Sequence, residues 1–389
     1  MQNKAVPRLE YLDGLRGLAA LYVVLFHAGV GFTSADLPFW ARALRHVLSF
    51  GHDAVAVFIV LSGYCLMIPA ARRDGEVSGG IVSYFRRRAR RILPPYYGAL
   101  LLSLIFVLLL PAGAAKSGTI WDDTYPAIAL APIATHLALV HNWFPAYVHT
   151  VNGPLWSVAT EWQIYFFFPL ALLPVWRRAG RLGALALGFA LGSLPIWFAP
   201  KIAAVVNPWY LGLFALGMCA AGINFSSRPA DVALRASNAW RAFVWLGFVV
   251  LALGFSAFSK LWFENIVLSD VVMGTVTALL LIHYTRHATA EDRRERPFGL
   301  RVLESTPLVA LGRFSYSLYL THLPLVAAWY FALRGLTSSQ SSLMIALLAC
   351  SVPSSIVLAY GFFSLVERRF LLPHAAPRVE STARTEQAH

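Results

Sequence analysis

The chain reads as an all-α polytopic membrane protein, a helix bundle with about ten transmembrane helices and both termini cytoplasmic. Three observations predict this. The residues are 58% hydrophobic and only 13% charged, against about 25% charged in an ordinary soluble domain. Several apolar runs approach or exceed the roughly 20 residues that cross a hydrocarbon core, without the short alternation of an outer-membrane strand. With the N-terminus placed inside, 24 of the 32 Lys and Arg fall in cytoplasmic segments, 6 in outer segments and 2 within spans. That is the bias of the positive-inside rule. The net charge of +13 therefore follows topology and gives no reason to invoke nucleic acid.

In chain order the apolar runs predict spans at about 9–31, 47–70, 92–112, 154–176, 182–200, 203–222, 239–258, 262–284, 305–331 and 341–365. The first is kept as a helix and not a secretory signal, because it holds Arg16 and His27 and continues without a small-x-small cleavage site. A stretch near 126–140 with Pro126, Pro132 and His136 reads as re-entrant or interfacial. A crossing there would invert everything downstream and spoil the charge pattern. The outer loop 113–153, with Trp121, Asp122, Asp123, His141, Trp143, Tyr147 and His149, is the largest candidate for extracytoplasmic recognition. Residues 1–370 form one transmembrane domain, and the polar, proline-containing 371–389 reads as a disordered cytoplasmic tail. Cys65, Cys219 and Cys350 lie in apolar segments and suggest no disulfide framework.

Chemistry concentrates in five segments. In the first span Arg16 and His27 are eleven residues apart, about 20° beyond three full turns and roughly 16 Å along the axis, so one stripe carries both. An unpaired charge near the bilayer centre costs roughly 2.5–3.5 kcal/mol. A guanidinium suits phosphate and a neutral imidazole suits a general base. A ligand with phosphate at one end and a reactive centre at the other would fit; hydrogen bonding to neighbouring helices is the plainer alternative. The second segment, YFRRRARRILPPYY at 84–97, crowds five arginines at the cytoplasmic mouth of the third span. Lipid anchoring and an anionic-cofactor site are equally compatible with it.

The third segment, NGPLWSVATEWQIYFFFP at 152–169, puts Ser157 and Glu161 on one face, with Glu161 at a depth similar to His27. A membrane-embedded carboxylate needs a partner, and His27 is one candidate. In LGRFSYSLYLTHLPL, 311–325, Arg313 and His322 are nine residues apart, on opposite faces of a single helix by about 180°. Ser315, Tyr316 and Ser317 there suit helix–helix hydrogen bonds. In GHDAVAVFIVLSGYCL, 51–66, His52 and Asp53 are adjacent and do not face each other, while Ser62-Gly63 allows close packing. There is no H-E-x-x-H, P-loop, Rossmann fingerprint or clustered Cys/His set, so no metal site is expected.

Taken in order, these segments resemble the acyltransferase-3 family of integral membrane O-acyltransferases. The likeness runs from Tyr11 to about Phe370 and rests on Arg16-x10-His27, Ser62–Tyr64, the RxxRILP run Arg88–Pro94, PLWSVATEWQIYFFFP, SYSLYLTHLPL and SLVERRF. The resemblance implies transfer of an acyl group, commonly acetyl, from cytoplasmic acyl-CoA. The implied acceptor is a hydroxyl on an extracytoplasmic or lipid-linked glycan, or on a small molecule. It implies His27 as the essential histidine, and Arg16, Arg88 and Arg91 as donor-binding arginines. Glu161 joins His27 as a catalytic candidate, and Trp156, Ser157 and His322 are candidates for contacting substrate. Trp162 departs from the polar or acidic residue many members have after the glutamate, which bears on acceptor detail. The chain is expected to be a stand-alone transferase without an SGNH-type domain, multi-pass in a bacterial-type inner membrane, its partners the bilayer, acyl-CoA and the acceptor. A transporter of glycan or acyl donor is the rival class. It would show related halves or broken helices in matching positions, and no such internal symmetry is visible. A sugar sensor without turnover is the other.

Overall fold

A computed structural model describes residues 8–32, 37–109, 129–290, 292 and 296–371. Expectations for Trp121, Asp122, Asp123, Pro126 and the tail beyond residue 371 lie outside these residues.

Every regular element among the described residues is helical. The first are α1 (Glu10–Gly29), α2 (Phe39–Leu48), α3 (Gly51–Ala71) and α4 (Gly80–Leu109). After them come α5 (Leu130–Leu137) and a 3-10 turn (His141–Trp143). Then α6 (Leu155–Phe167) passes through a π turn (Phe168–Leu172) into α7 (Leu173–Phe198). Next are α8 (Pro200–Val206), α9 (Tyr210–Phe225), α10 (Pro229–Ala236), α11 (Trp240–Phe255), α12 (Ser259–Glu264) and α13 (Ile266–Ala288). The last are α14 (Phe298–Leu303), α15 (Thr306–Arg313), α16 (Ser315–Leu333) and α17 (Gln340–Leu365), closed by a 3-10 turn (Glu367–Phe370).

Six of these helices or helix runs are long and apolar enough to cross a membrane, or up to eight if the bent pairs α8–α9 (46°) and α10–α11 (70°) each count as one span. The sequence predicts about ten, and the difference lies in two places. Residues Leu155–Phe198 form one 44-residue run where the sequence suggests two spans. At about 1.5 Å per residue it is roughly twice the length of one crossing, and Gly180, at φ +69, breaks it. α16 is not counted, because Ser315, Tyr316, Ser317, Tyr319, Thr321 and His322 make its first half polar.

Three local outcomes differ from the sequence pattern. α4 starts at Gly80, well before the apolar run, so the arginine segment is itself helical and continues through Pro94 and Pro95. Each proline removes a backbone donor without ending the helix. The run read as one span at 305–331 is divided at Phe314 into α15 and α16. The described part of 126–140 is α5, eight residues long and too short to cross.

α1 sits centrally, packed against α3, α14, α15, α16 and α17. Small residues set its distances. A Cβ on Gly14 would meet the Leu303 carbonyl oxygen at 1.7 Å, and one on Gly312 would meet that of Asp13 at 1.9 Å. α3 and α9 approach in the same way: a Cβ on Gly63 would lie 2.0 Å from the Phe214 carbonyl oxygen, and one on Gly217 equally close to that of Val60. Such small-residue crossings hold helices together where lipid offers no hydrophobic drive between them. The close packing expected at Ser62-Gly63 is therefore present.

Candidate active site

Three cavities lie along α1 and share walls. The first, about 680 Å³, is a mouth lined by Arg8, Arg16, Arg87, Arg88, Arg91 and Arg313, with Asp13 the only acidic residue among the described lining residues. The second, about 130 Å³, is a waist. Arg16, Arg88 and Arg91 belong to both, and the waist continues past Ser62, Cys65, Glu161 and Tyr165 to Ser157 and Tyr319. The third, the far cavity, is about 350 Å³ and holds His27, His52, His149 and Trp156. Val55 and Tyr319 are common to it and the waist. A path therefore runs from a cluster of guanidinium groups to a cluster of imidazoles.

Helical spacing explains the lining. Arg87, Arg88 and Arg91 occupy one face of α4, while Arg86 and Arg90 fall outside the cavities. Ser157, Glu161 and Tyr165 repeat every four residues on the waist side of α6, and Trp156, one residue round, turns to the far cavity. Arg16 donates to Cys65 Sγ at 3.0 Å and to Asp13 Oδ1 at 3.4 Å. Arg88 Nε is buried in the protein without a hydrogen-bond partner among the described residues.

His27 lies one side chain from His322. His322 Nδ1 is 3.0 and 2.9 Å from the carbonyl oxygens of Leu318 and Tyr319, so it carries the proton and donates. Its Nε2 is then an acceptor, 3.2 Å from His27 Nδ1. His27 Nδ1 is also 2.9 Å from the Val23 carbonyl oxygen, so it too carries its proton. His27 Nε2 is left with a free lone pair on the far cavity.

The expected pairing of Glu161 with His27 is corrected. Glu161 accepts from Ser62 and, at 2.5 Å, from the Tyr165 hydroxyl, and it lines the waist and not the far cavity. Depth along a helix does not fix direction, and α6 turns this carboxylate toward α3. Ser157 shares a 2.7 Å hydrogen bond with Tyr319. Arg313 and His322 sit on separate helices: Arg313 ends α15 at the mouth, and His322 on α16 is fully buried against His27. The anticipated hydrogen bonds of that segment are made by Ser317 to Glu367 at 2.5 Å and by Tyr316 to the Ile92 carbonyl at 3.3 Å. Tyr319 and Asp270 were not visible as site residues, because their partners Ser157 and His52 are remote in sequence; Tyr165, one turn from Glu161, and Arg87, within the arginine run, could have been found by helical spacing. Among the described residues no group of three His, Cys, Asp or Glu is arranged to hold a metal.

The fold and site define a multi-pass membrane helix bundle in which a basic mouth is joined through shared cavity walls to an imidazole pair. The acyltransferase-3 family, described as an acyltransferase domain, matches residues 9–363, and the chain belongs to that family. It is a multi-pass membrane acyltransferase. It is 27% identical over 383 residues to "Acyltransferase MdmB" of Streptomyces mycarofaciens, covering 89% of this chain and 88% of that one. "Putative peptidoglycan O-acetyltransferase YrhL" of Bacillus subtilis is 24% identical over 345 residues, 81% of this chain and 48% of its own length. "Putative O-acetyltransferase SACOL0978" of Staphylococcus aureus is 27% identical over 203 residues, 49% of this chain and 30% of its own. The chain thus spans under half the length of the latter two. No solved structure matches it.

Proposed function

We propose that the protein moves an acyl group, commonly acetyl, from cytoplasmic acyl-CoA to a hydroxyl of an extracytoplasmic or lipid-linked glycan, in a bacterial-type inner membrane. The observation that carries this is the shared walls of the three cavities, which join the arginine mouth to His27. Acyl-CoA has a phosphate-rich head and a long arm ending in a thioester. Arg16, Arg88 and Arg91 suit the phosphates, since a guanidinium binds two oxygens at once. The unpartnered Arg88 Nε fits such a ligand. The arm would run through the waist and bring the thioester toward His27.

In this reading the lone pair of His27 Nε2 takes the acceptor's hydroxyl proton as its oxygen attacks the thioester carbon. The carbon–sulfur bond breaks, and the CoA thiolate leaves and is protonated. His322 accepts from His27 Nδ1, which fixes the tautomer and shares the charge that His27 gains. Glu161, Ser62 and Tyr165 would shape the path of the arm. Acyl transfer first to His27 and then to the acceptor uses the same geometry, with His27 Nε2 as nucleophile.

The test is acyl-CoA binding and turnover by purified wild type, Arg16→Ala and His27→Ala. Arg16→Ala should lose binding. His27→Ala should bind and fail to transfer, by about 10²–10⁴-fold. Normal transfer by His27→Ala would remove the base assignment. A wild type that binds no acyl-CoA would remove the donor and favour the transporter.

A further inference from the structure

The far cavity contains a second imidazole that the transfer step leaves unused. His52, in the first turn of α3, lines it together with His27. Its ring is held firmly. The Asp270 carboxylate accepts from Nε2 at 3.2 Å, and the Tyr210 hydroxyl oxygen is 3.0 Å from the same nitrogen. The Trp156 indole lies parallel to the ring, at 10° and 5.7 Å between centroids. Asp270 is wholly buried on α13 and is braced by Trp209 Nε1 at 2.8 Å. Its only ion-pair partner among the described residues is His52. A carboxylate buried so completely is expensive to keep.

With Nε2 committed to Asp270, the lone pair falls on Nδ1. Nδ1 makes no hydrogen bond among the described residues and is not sealed by them; the side chain is 28% exposed and lines the cavity. Among the described residues, His27 Nε2 and His52 Nδ1 therefore each offer the far cavity an imidazole lone pair, beside His149 in the same lining. No Lys, Arg, Asp or Glu contributes to its described lining, so it suits a neutral ligand that donates hydrogen bonds.

We propose that His52 is an acceptor-binding residue. Its Nδ1 accepts a hydrogen bond from a second hydroxyl of the acceptor, one that does not react at His27, and Asp270 is the positioning residue that fixes the tautomer. This rests on the transferase reading. It narrows the acceptor to an uncharged polyhydroxyl ring with at least two hydroxyls in reach, as against a simple alcohol or an anion.

The test uses the full chain in lipid nanodiscs. The probes are the methyl glycosides of glucose, mannose, galactose and rhamnose, measured beside acetyl-CoA. Asn places its amide where imidazole Nδ1 lies, and Gln places it where Nε2 lies. His52→Ala and His52→Gln should weaken binding of the best glycoside roughly tenfold, and His52→Asn should restore most of it. Acetyl-CoA affinity should be unchanged in all three, which also reports that each variant is folded. In Asp270→Asn the ¹⁵N signature of His52 should change from one tautomer to a mixture, with weakened glycoside binding. Equal losses in His52→Asn and His52→Gln, loss of acetyl-CoA binding along with glycoside, or a wild type that binds none of the glycosides would each overturn the proposal. A wild type that binds glycoside but no acetyl-CoA would overturn the donor reading instead and leave the comparison at position 52 in force.

Discussion

His27 and His322 show how two neutral rings in a membrane can set one nitrogen free. Each Nδ1 proton is used by an acceptor behind it, so the chain of donors ends in a lone pair on the far cavity. Removing the second ring should leave the first with a weaker hold. His322→Ala is expected to lower kcat about tenfold, less than the loss on removing His27 itself, with acyl-CoA affinity unchanged; a fall in affinity to match would make His322 a packing residue. Outside the spans, His141 stacks on His136 at 3.8 Å. Burial, with a smaller push from His136, lowers the His141 imidazole to about 2. Its unfolded value is about 6.5. Between the two the unfolded chain binds the extra proton, so the stability is present above about pH 6.5 and declines as pH falls below it. The melting temperature of the wild type should therefore drop more steeply between about pH 7 and 5 than that of His141→Phe. Parallel curves would clear His141 of this role.

Among the elements, α3 carries the most constraints. Its Gly63 lets the backbone of α9 come close, with His52 bonded to Tyr210 of α9, and its Ser62 reaches Glu161 of α6. Gly63→Ala would place a methyl against backbone, which cannot move aside as a side chain can. A loss of about 1–3 kcal/mol is expected, read as a lower melting temperature with the waist and the far cavity impaired together. A variant as stable as wild type would show that the crossing is not tight. α3 also explains what the sequence could and could not reveal. Arg16 and His27 were legible because they share one helix and a fixed periodicity. The His52–Asp270 pair was hidden, because its members are 218 residues apart and only the packing of α3 on α13 joins them. Glu161 was legible as a buried carboxylate needing a partner; which partner depended on the rotation of α6, and that is set by contacts remote in sequence.

At the scale of the molecule, charge is sorted by end. Guanidinium groups from α1, α4 and α15 and from Arg8 gather at one mouth, and the far cavity has histidines but no Lys, Arg, Asp or Glu in its described lining. If the mouth binds the nucleotide end of the donor, Arg88→Ala should raise the acyl-CoA Kd about tenfold, an effect that shrinks as salt rises. S-acetylpantetheine, which has no phosphate, should bind both proteins alike. An equal loss for both ligands would place Arg88 on the arm and not on the phosphates.

The sequence by itself determined the class: a low-charge, multi-pass helical protein with an arginine and a histidine on one stripe, in motifs that resemble membrane O-acyltransferases. These properties are local, since hydropathy, helical period and short motifs can be read without knowing what packs against what. Tertiary structure alone decided the rest. It split the helix that was to carry Arg313 and His322, moved Glu161 from His27 to Ser62 and Tyr165, and brought Tyr319 to the wall shared by waist and far cavity. The physical reason is that a side chain's partner in a bundle depends on helix rotation and close approach. Those follow from small-residue crossings such as Gly63 on Phe214 and Gly312 on Asp13, between segments whose spacing in the chain has no bearing on their distance in space.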